Sequence, residues 1–165
     1  MNSKSLSNFS FSAKALHWAI ASGQSKGRVE SVRILIEAGA DIEAINNSGF
    51  TPLHYACATR KFECARLLLD REANIEAVTS GGHTPLHCAA QKGDDECIEL
   101  LLEKGANVNS IDFDGDTPLH LARRFVKSQC EEILIKSGAD ITIKNLAGEL
   151  PLAADPLPIV NFSYE

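Results

Sequence analysis

The apolar residues of this chain follow a helical spacing that is interrupted at regular intervals. Leu86, Ala89 and Ala90 lie at the spacing of one face of a short helix. Gly93 can supply a turn, and a second series with helical spacing follows it: Cys97, Ile98, Leu100, Leu101 and Leu102. Gly105 predicts the end of this second helix, because glycine readily adopts the left-handed conformation found after helices. The pattern therefore predicts two short helices joined by a tight turn.

The segment that follows each helix pair is too short and too polar for another helix. Residues 106–109 read as an extended arm that runs to a turn at Asp114 and Gly115. Thr117 and Pro118 then predict a new helix start. A threonine hydroxyl can cap a free backbone N–H, and proline at the first helical position loses no hydrogen bond.

This arrangement recurs with a period of 33 residues. The sequence Thr-Pro-Leu-His begins at Thr51, Thr84 and Thr117. Glycines and alanines elsewhere keep the same step: Gly49, Gly82, Gly115 and Gly148, and Ala73, Ala106 and Ala139. One such unit cannot bury its own apolar face, so several copies must stack to form a stable array.

The motif and its period resemble the ankyrin repeat. The resemblance implies an all-α repeat solenoid of stacked helix-turn-helix pairs joined by β-hairpin-like arms. We expect copies at about 12–45, 46–78, 79–111 and 112–144, with a partial capping copy at 145–155. A flexible N-terminal tail at 1–11 and a C-terminal tail at 156–165 are expected to flank this domain.

The first and second copies both depart from the pattern. The first lacks Thr-Pro and carries four extra residues, which we place in a loop around residues 22–27 because of its composition. Long loops on repeat arrays often serve binding. The second has Arg71 and Glu72 where other copies have glycine, so we expect its second helix to end differently.

Trp18 aligns with Tyr55, Cys88 and Leu121 in the later copies. Because this position in a stack faces a neighbouring copy, the alignment predicts that Trp18 is buried between repeats.

Composition and charge fit one globular domain. The 165 residues are 44% hydrophobic and 23% charged, and the net charge of −6 gives a nucleic-acid role little support. Residues 1–29 hold four bases and no acid, which fits a transit peptide or a polar tail leading into the first helix. We favour the tail, because residues 16–19 already match the repeat. No apolar run approaches the ~18 residues of a membrane span.

Five cysteines, without a secretory signal or tight pairing, favour a reducing compartment and a cytoplasmic or nuclear protein. Cys64, Cys97 and Cys130 recur every 33 residues in the second helix. This regularity indicates small buried side chains, with redox sensing as the alternative.

Four of the five histidines occupy the motif position: His17, His54, His87 and His120. The resemblance implies a structural hydrogen bond between adjacent copies. Packed helices lie on the order of 10 Å apart, so equivalent histidines cannot share one metal ion at bond lengths of ~2 Å. With no catalytic, phosphate-binding or metal-ligand motif in the chain, we expect no catalytic residue, no metal, no cofactor and no enzymatic activity.

The resemblance also implies where a partner would bind. In such arrays the arm turns and the late residues of each first helix line a concave face. The candidate residues are Asn47, Ser48, Phe50, Thr59, Ser80, His83, Gln91, Lys92, Phe113, Asp114, Asp116, Arg124 and Phe125.

The aromatic and basic residues are the strongest candidates for contact with a partner. Exposed phenylalanine and arginine are typical interface anchors, which favours Phe50, Phe113 and Phe125 as contact residues. The alternative interpretation is that these side chains pack against their own arm or against the next repeat. Arg123 and Arg124 could contact an acidic partner segment or form a solvated pair.

The leading hypothesis is an interaction module, monomeric alone, that acts as a scaffold, adaptor or inhibitor and holds a partner protein on its concave face. The alternative is a regulatory subunit or assembly chaperone that packs permanently into a complex, and would aggregate in isolation through an apolar patch. An enzyme needs a pocket with convergent titratable groups, which the sequence does not offer. A binder of nucleic acid or lipid head groups would use the basic front, and would lose binding without residues 1–11.

Overall fold

The computed structural model describes residues 15–22 and 25–151, and these form helices joined by turns, with no strand in either described range. Residues 15–21 form the helix that we call α1. The helices that follow are α2 (Ser25–Glu37), α3 (Pro52–Ala58), α4 (Phe62–Asp70), α5 (Pro85–Lys92), α6 (Asp95–Glu103), α7 (Pro118–Arg124) and α8 (Ser128–Lys136). The prediction of an all-α repeat solenoid is confirmed.

The Thr-Pro motif starts α3, α5 and α7 in the same way. Each threonine hydroxyl accepts a hydrogen bond from the backbone N–H of the motif histidine, and that histidine ring accepts one from the threonine N–H. This reciprocal capping box satisfies backbone donors that the first turn of a helix leaves free.

The helices pack in two rows. In the inner row α3 packs on α5 and α5 on α7, and in the outer row α2, α4, α6 and α8 follow one another. Each inner helix also packs on the outer helix that follows it. The shared core is aliphatic, with Leu53, Leu68, Leu86, Leu101 and Leu119 fully buried. Each copy therefore buries its apolar face against its neighbours.

The insertion in the first copy lengthens a helix. We expected a loop around residues 22–27, but α2 begins at Ser25; residues 23 and 24 lie outside the described ranges. This helix has 13 residues and α4 has 9, a difference of four that equals the insertion. The extra residues form about one more helical turn at the start of α2.

The expected difference at the end of α4 is absent, so that prediction was wrong. Glu72 takes a left-handed conformation (φ 64°), as Gly105 does at the end of α6 (φ 93°). The next N–H, from Ala73, donates to the carbonyl of Leu68 at 3.0 Å and closes the helix in the usual way.

The prediction that Trp18 is buried was also wrong, since 70% of the residue is exposed. Its later equivalent Tyr55 packs edge-on against His17 of the preceding copy, with ring centroids 5.8 Å apart. In the described part of the chain no copy precedes that of Trp18, so nothing covers the indole.

The predicted tails and the end of the predicted capping copy, at 1–11 and 152–165, lie outside the described residues. None of the helices described is both long enough and apolar enough to cross a membrane.

Candidate functional site

The four arms share one turn. The N–H of the first turn residue donates to the carbonyl four residues later, and the N–H of the glycine at the fourth position donates back to the first carbonyl. In the fourth repeat, Oδ1 of Asp112 also accepts from the N–H groups of Asp114 and Asp116, both at 2.9 Å. The equivalent side chains that do the same are Asn46, Thr79 and Asn145. A short polar side chain thus fixes each hairpin-like turn.

Neighbouring arms are linked by single backbone hydrogen bonds across their tips. The N–H groups of Ser80, Phe113 and Leu146 donate to carbonyls of the preceding arm at 3.3, 3.2 and 2.9 Å. At the base of the arms, side-chain oxygens of Glu43, Glu76 and Asn109 accept from backbone N–H groups of the next copy at 2.7–2.8 Å. These links hold the arms at a fixed spacing.

Two rows of side chains run along the outside of the arms, and we call them together the arm face. The first row is Ile45, Val78, Ile111 and Lys144, of which the three apolar residues are each more than half exposed and the lysine is exposed. The second is Asn47, Ser80, Phe113 and Leu146, in which the last two residues are 67% and 81% exposed. Residues between the rows point inward, as the alternation of an extended segment requires. The arm face is therefore largely apolar, with the charged Lys144 at the C-terminal end of its first row.

Sequence analysis found only part of the arm face. It selected Asn47, Ser80 and Phe113 and missed Leu146 and the whole first row. The signal was present, since Ile45, Val78 and Ile111 are apolar residues repeated every 33 positions within otherwise polar arms.

The three candidate phenylalanines have different surroundings. Phe113 lies over the preceding arm, so close that a Cβ built at Gly82 would be 2.6 Å from its ring. Phe125 follows α7 and is 43% exposed. Phe50 is half-buried, and its ring packs edge-on against His54 with centroids 5.7 Å apart. Phe50 is therefore packed within the chain, whereas Phe113 and Phe125 are accessible to a partner.

Asp116 requires a correction, because a partner cannot reach its carboxylate. The side chain is 1% exposed, and Arg124 binds both its oxygens, at 2.6 and 3.0 Å. Asn145 donates a third bond at 2.8 Å. Burial acts to raise the pKa of Asp116, but the hydrogen bonds from Arg124 and Asn145 outweigh it and hold the pKa below its ordinary value. The guanidinium of Arg124 is therefore bound within the chain, although 48% of the side chain is exposed.

Two other candidates also interact within the chain. Nε2 of His83 lies 3.1 Å from the carboxylate of Asp112, which is 1% exposed. Thr59 donates its hydroxyl to the carbonyl of Tyr55 at 2.7 Å. Of the remaining candidates, Gln91 is half-buried, and the exposed ones are Asn47, Ser48, Ser80, Lys92 and Asp114.

The motif histidines link successive copies, as the resemblance implied. Their Nε2 atoms lie 2.8–3.1 Å from the carbonyl oxygens of Phe50, His83, Asp116 and Glu149, each in the next arm. At His54, His87 and His120 the Nδ1 atom accepts a threonine N–H. In these three rings Nε2 therefore carries the proton and donates it. Burial lowers the pKa of His54 to about 4 and also lowers that of His87.

The cysteines are buried within the stack. All five are free thiols, and Cys64, Cys97 and Cys130 are at most 1% exposed, as predicted for small apolar side chains. Burial raises the pKa values of Cys88 and Cys130 to about 12, which leaves little reactive thiolate. Residues 15–22 and 25–151 contain no group of three or more His, Cys, Asp or Glu side chains that could hold a metal ion.

Comparison with known proteins identifies a family and a relative of the chain. A family profile described as ankyrin repeats (3 copies) matches residues 2–79 and 73–145. Over 44 residues the chain is 46% identical to the ankyrin repeat and LEM domain-containing protein 1 homolog of Caenorhabditis elegans. That stretch is 27% of this chain and 6% of the relative, so the two proteins share only a short segment.

Proposed function

Because the chain belongs to the ankyrin-repeat family, whose repeats are generally protein–protein interaction modules, we propose that it binds a partner protein on its concave face. We define this face as the arm face together with the exposed C-terminal ends of the inner helices. In this role the protein acts as a scaffold, adaptor or inhibitor.

The exposed apolar arm face is the observation that supports this proposal. Ile45, Val78 and Ile111 are 54–61% exposed on arms that are otherwise polar. Phe113 and Leu146 occupy the same position in successive arms, and the backbones beside them are joined by a hydrogen bond of 2.9 Å. Contiguous exposed apolar surface is typical of protein interaction sites.

We place the strongest contacts at the C-terminal end of the arm face. Phe113 and Leu146 are the largest apolar side chains of the second row, and Phe125 and Val126 add exposed apolar surface at the end of α7. Binding energy in interfaces is concentrated in a few large side chains. The preferred partner segment is therefore apolar at its centre.

Affinity capture with matched variants tests this assignment. One variant is Phe113→Ala with Leu146→Ala, and its control is Ile34→Ala with Ile135→Ala, which removes exposed apolar side chains from α2 and α8 of the outer row. We expect the arm variant to recover specific partners about tenfold less well, and the control to match the unmodified chain. Equal recovery by both variants would show that the arm face is not the binding surface.

The same apolar rows also favour the second candidate, a permanent subunit or assembly chaperone. Such a chain would self-associate when isolated, because its partner normally covers the arm face. Light scattering of the isolated chain over a concentration series separates the two functions. An adaptor stays monomeric, whereas a permanent subunit forms larger species that the arm variant abolishes.

A further inference from the structure

Ion pairs connect successive helices of the outer row. Glu37, the last residue of α2, pairs with Arg71 at the end of α4, with N and O 3.6 Å apart. Asp70, the last residue of α4, pairs with Lys104 at the end of α6 at 3.0 Å. Each pair joins the final residue of one helix to the C-cap residue of the next.

The next pair in this series is missing. Glu103 is the last residue of α6, but the C-cap residue of α8 is Ser137, which has no charge. Within the described ranges Glu103 has no ion pair. The series that ties the first three outer helices together therefore stops between α6 and α8.

A groove of about 550 Å³ opens where the pair is missing. Its apolar floor comes from Leu102, Ala106, Val108 and Ile133. The preceding equivalents of Leu102 and Ala106, which are Leu69 and Ala73, are buried, at 9% and 7% exposure. Leu102 and Ala106 themselves are half-buried, as their equivalents Ile36 and Ala40 are in the first copy, so these positions are more accessible in the third copy than in the second.

The rim of the groove is acidic. Glu99 and Glu103 lie one helical turn apart on α6, and both are exposed. Like charges at this spacing repel each other. The lysine on the rim, Lys136, pairs with Glu132 of its own helix at 3.5 Å and leaves the two glutamates uncompensated.

We propose that this groove binds a basic, apolar segment of a partner protein. An apolar side chain of the segment enters between Leu102 and Ile133. An adjacent lysine or arginine pairs with Glu103 and takes the place that Lys104 occupies beside Asp70 one repeat earlier. The groove lies on the outer row, so this proposal is independent of binding at the arm face.

The size of the groove limits the kind of complex. A volume of about 550 Å³ accommodates a few side chains. A contact of that size is typical of weak and transient complexes. We therefore expect recognition of a short segment.

A nuclear magnetic resonance titration of the isotope-labelled chain of 165 residues tests the proposal. The probe is a synthetic helical peptide with two leucines one turn apart and two flanking arginines. The comparison peptide has glutamates in place of the arginines. We expect the arginine peptide to shift the amide signals of α6 and α8 and to bind at least about tenfold more tightly than the glutamate peptide.

Two variants connect the binding to the groove. Ser137→Lys restores the missing ion pair with Glu103, at a C-cap position where α6 already carries Lys104. Glu103→Gln removes the acceptor charge. Both should weaken binding of the arginine peptide by about threefold to fivefold, whereas Glu30→Gln, an equal charge change on α2 outside the groove, should not.

Four outcomes would overturn the proposal. The first is equal binding of both peptides, and the second is unchanged binding by Ser137→Lys and Glu103→Gln. The third is a dimer of the unmodified chain that Ser137→Lys dissociates, since the occupant would then be a second copy. Amide signals that move only in the arms would equally place the peptide elsewhere.

Discussion

At the scale of single residues, the motif histidines His54 and His87 are held neutral by their neighbours. In His54 and His87 one ring nitrogen accepts a threonine N–H and the other donates to a carbonyl of the next arm. A second proton, on Nδ1, would point at the threonine N–H, and the positive charge that it adds to the ring would be buried. The pKa values of both histidines are therefore lowered.

This makes stability dependent on pH. The pKa of His54 is 6.5 when unfolded and about 4 when folded, so the unfolded chain binds more protons between these values. The contribution of His54 is complete above pH 6.5 and is lost as the pH falls towards 4, with about 2 kcal/mol gone by pH 5. Urea unfolding at pH 7.5, 6 and 5 should show a smaller pH dependence for His54→Gln than for the unmodified chain. Parallel curves would contradict this account.

A second prediction at the scale of single residues concerns Val126. It adopts a left-handed conformation (φ 54°) at the position where the preceding copy has Gly93 (φ 74°), and it is 80% exposed. This conformation costs roughly 1–2 kcal/mol for most residues, and asparagine tolerates it better. Val126→Asn should therefore raise the free energy of unfolding by about 0.5–1 kcal/mol in urea. Val78→Asn, at an exposed valine with ordinary backbone, should give no gain.

Residue identity alone did not separate accessible from packed side chains. Phe50 and Phe113 both lie in arms, but Phe113 occupies the outward second row, whereas Phe50 lies just before a helix and packs on His54. Asp116 looked exposed in the sequence because the arginine that covers it, Arg124, is eight residues away on α7. Such pairings depend on three-dimensional placement.

At the scale of elements, the Thr-Pro motif defines where the inner helices begin. Thr84 caps the backbone N–H of His87, and the ring of His87 accepts the N–H of Thr84. Thr84→Val keeps the shape but removes the hydroxyl, so it should lower the free energy of unfolding by about 1–2 kcal/mol. Thr59→Val, which removes a hydroxyl bonded near the end of α3, is the control and should have a smaller effect. Equal losses would show that capping is not the cause.

The Arg124–Asp116 pair joins α7 to the last arms and gives a further element-scale prediction. Removing the guanidinium in Arg124→Ala leaves a buried carboxylate with fewer hydrogen bonds, which should cost about 1–3 kcal/mol. Amides of residues 145–149 should exchange faster, since Asn145 shares the same carboxylate.

A second substitution separates the charge from other effects of losing Arg124. Asp116→Asn should restore much of the stability of Arg124→Ala, because no buried charge then remains unpaired. If the double variant is as unstable as the sum of the single ones, the two residues are not coupled.

The sequence was sufficient to predict the helices, but it was insufficient to predict where some of them begin and end. Period, caps and apolar spacing predicted every inner helix. The extension of α2 was missed because the composition of residues 22–27 is typical of a loop. The end of α4 was missed because Glu72 adopts a conformation usually reserved for glycine.

At the scale of the whole molecule, stacking decides which surfaces are free. Copies that share an aliphatic core leave the arm face and the outer row in contact with solvent. Trp18 shows the same rule, since its position is covered in later copies and exposed in the first described one. The sequence could not show this, because an alignment of copies carries no information about which neighbours cover each position.

The binding surface can be tested directly by site-specific photo-crosslinking in cells. A photoreactive phenylalanine analogue is placed at Ile111 or Phe113 on the arm face, or at Ile34 on α2, where the side chain is 56% exposed. Our account predicts a discrete protein adduct from the two arm positions and none from Ile34. An adduct from Ile34 alone, or the same adduct from all three positions, would contradict it.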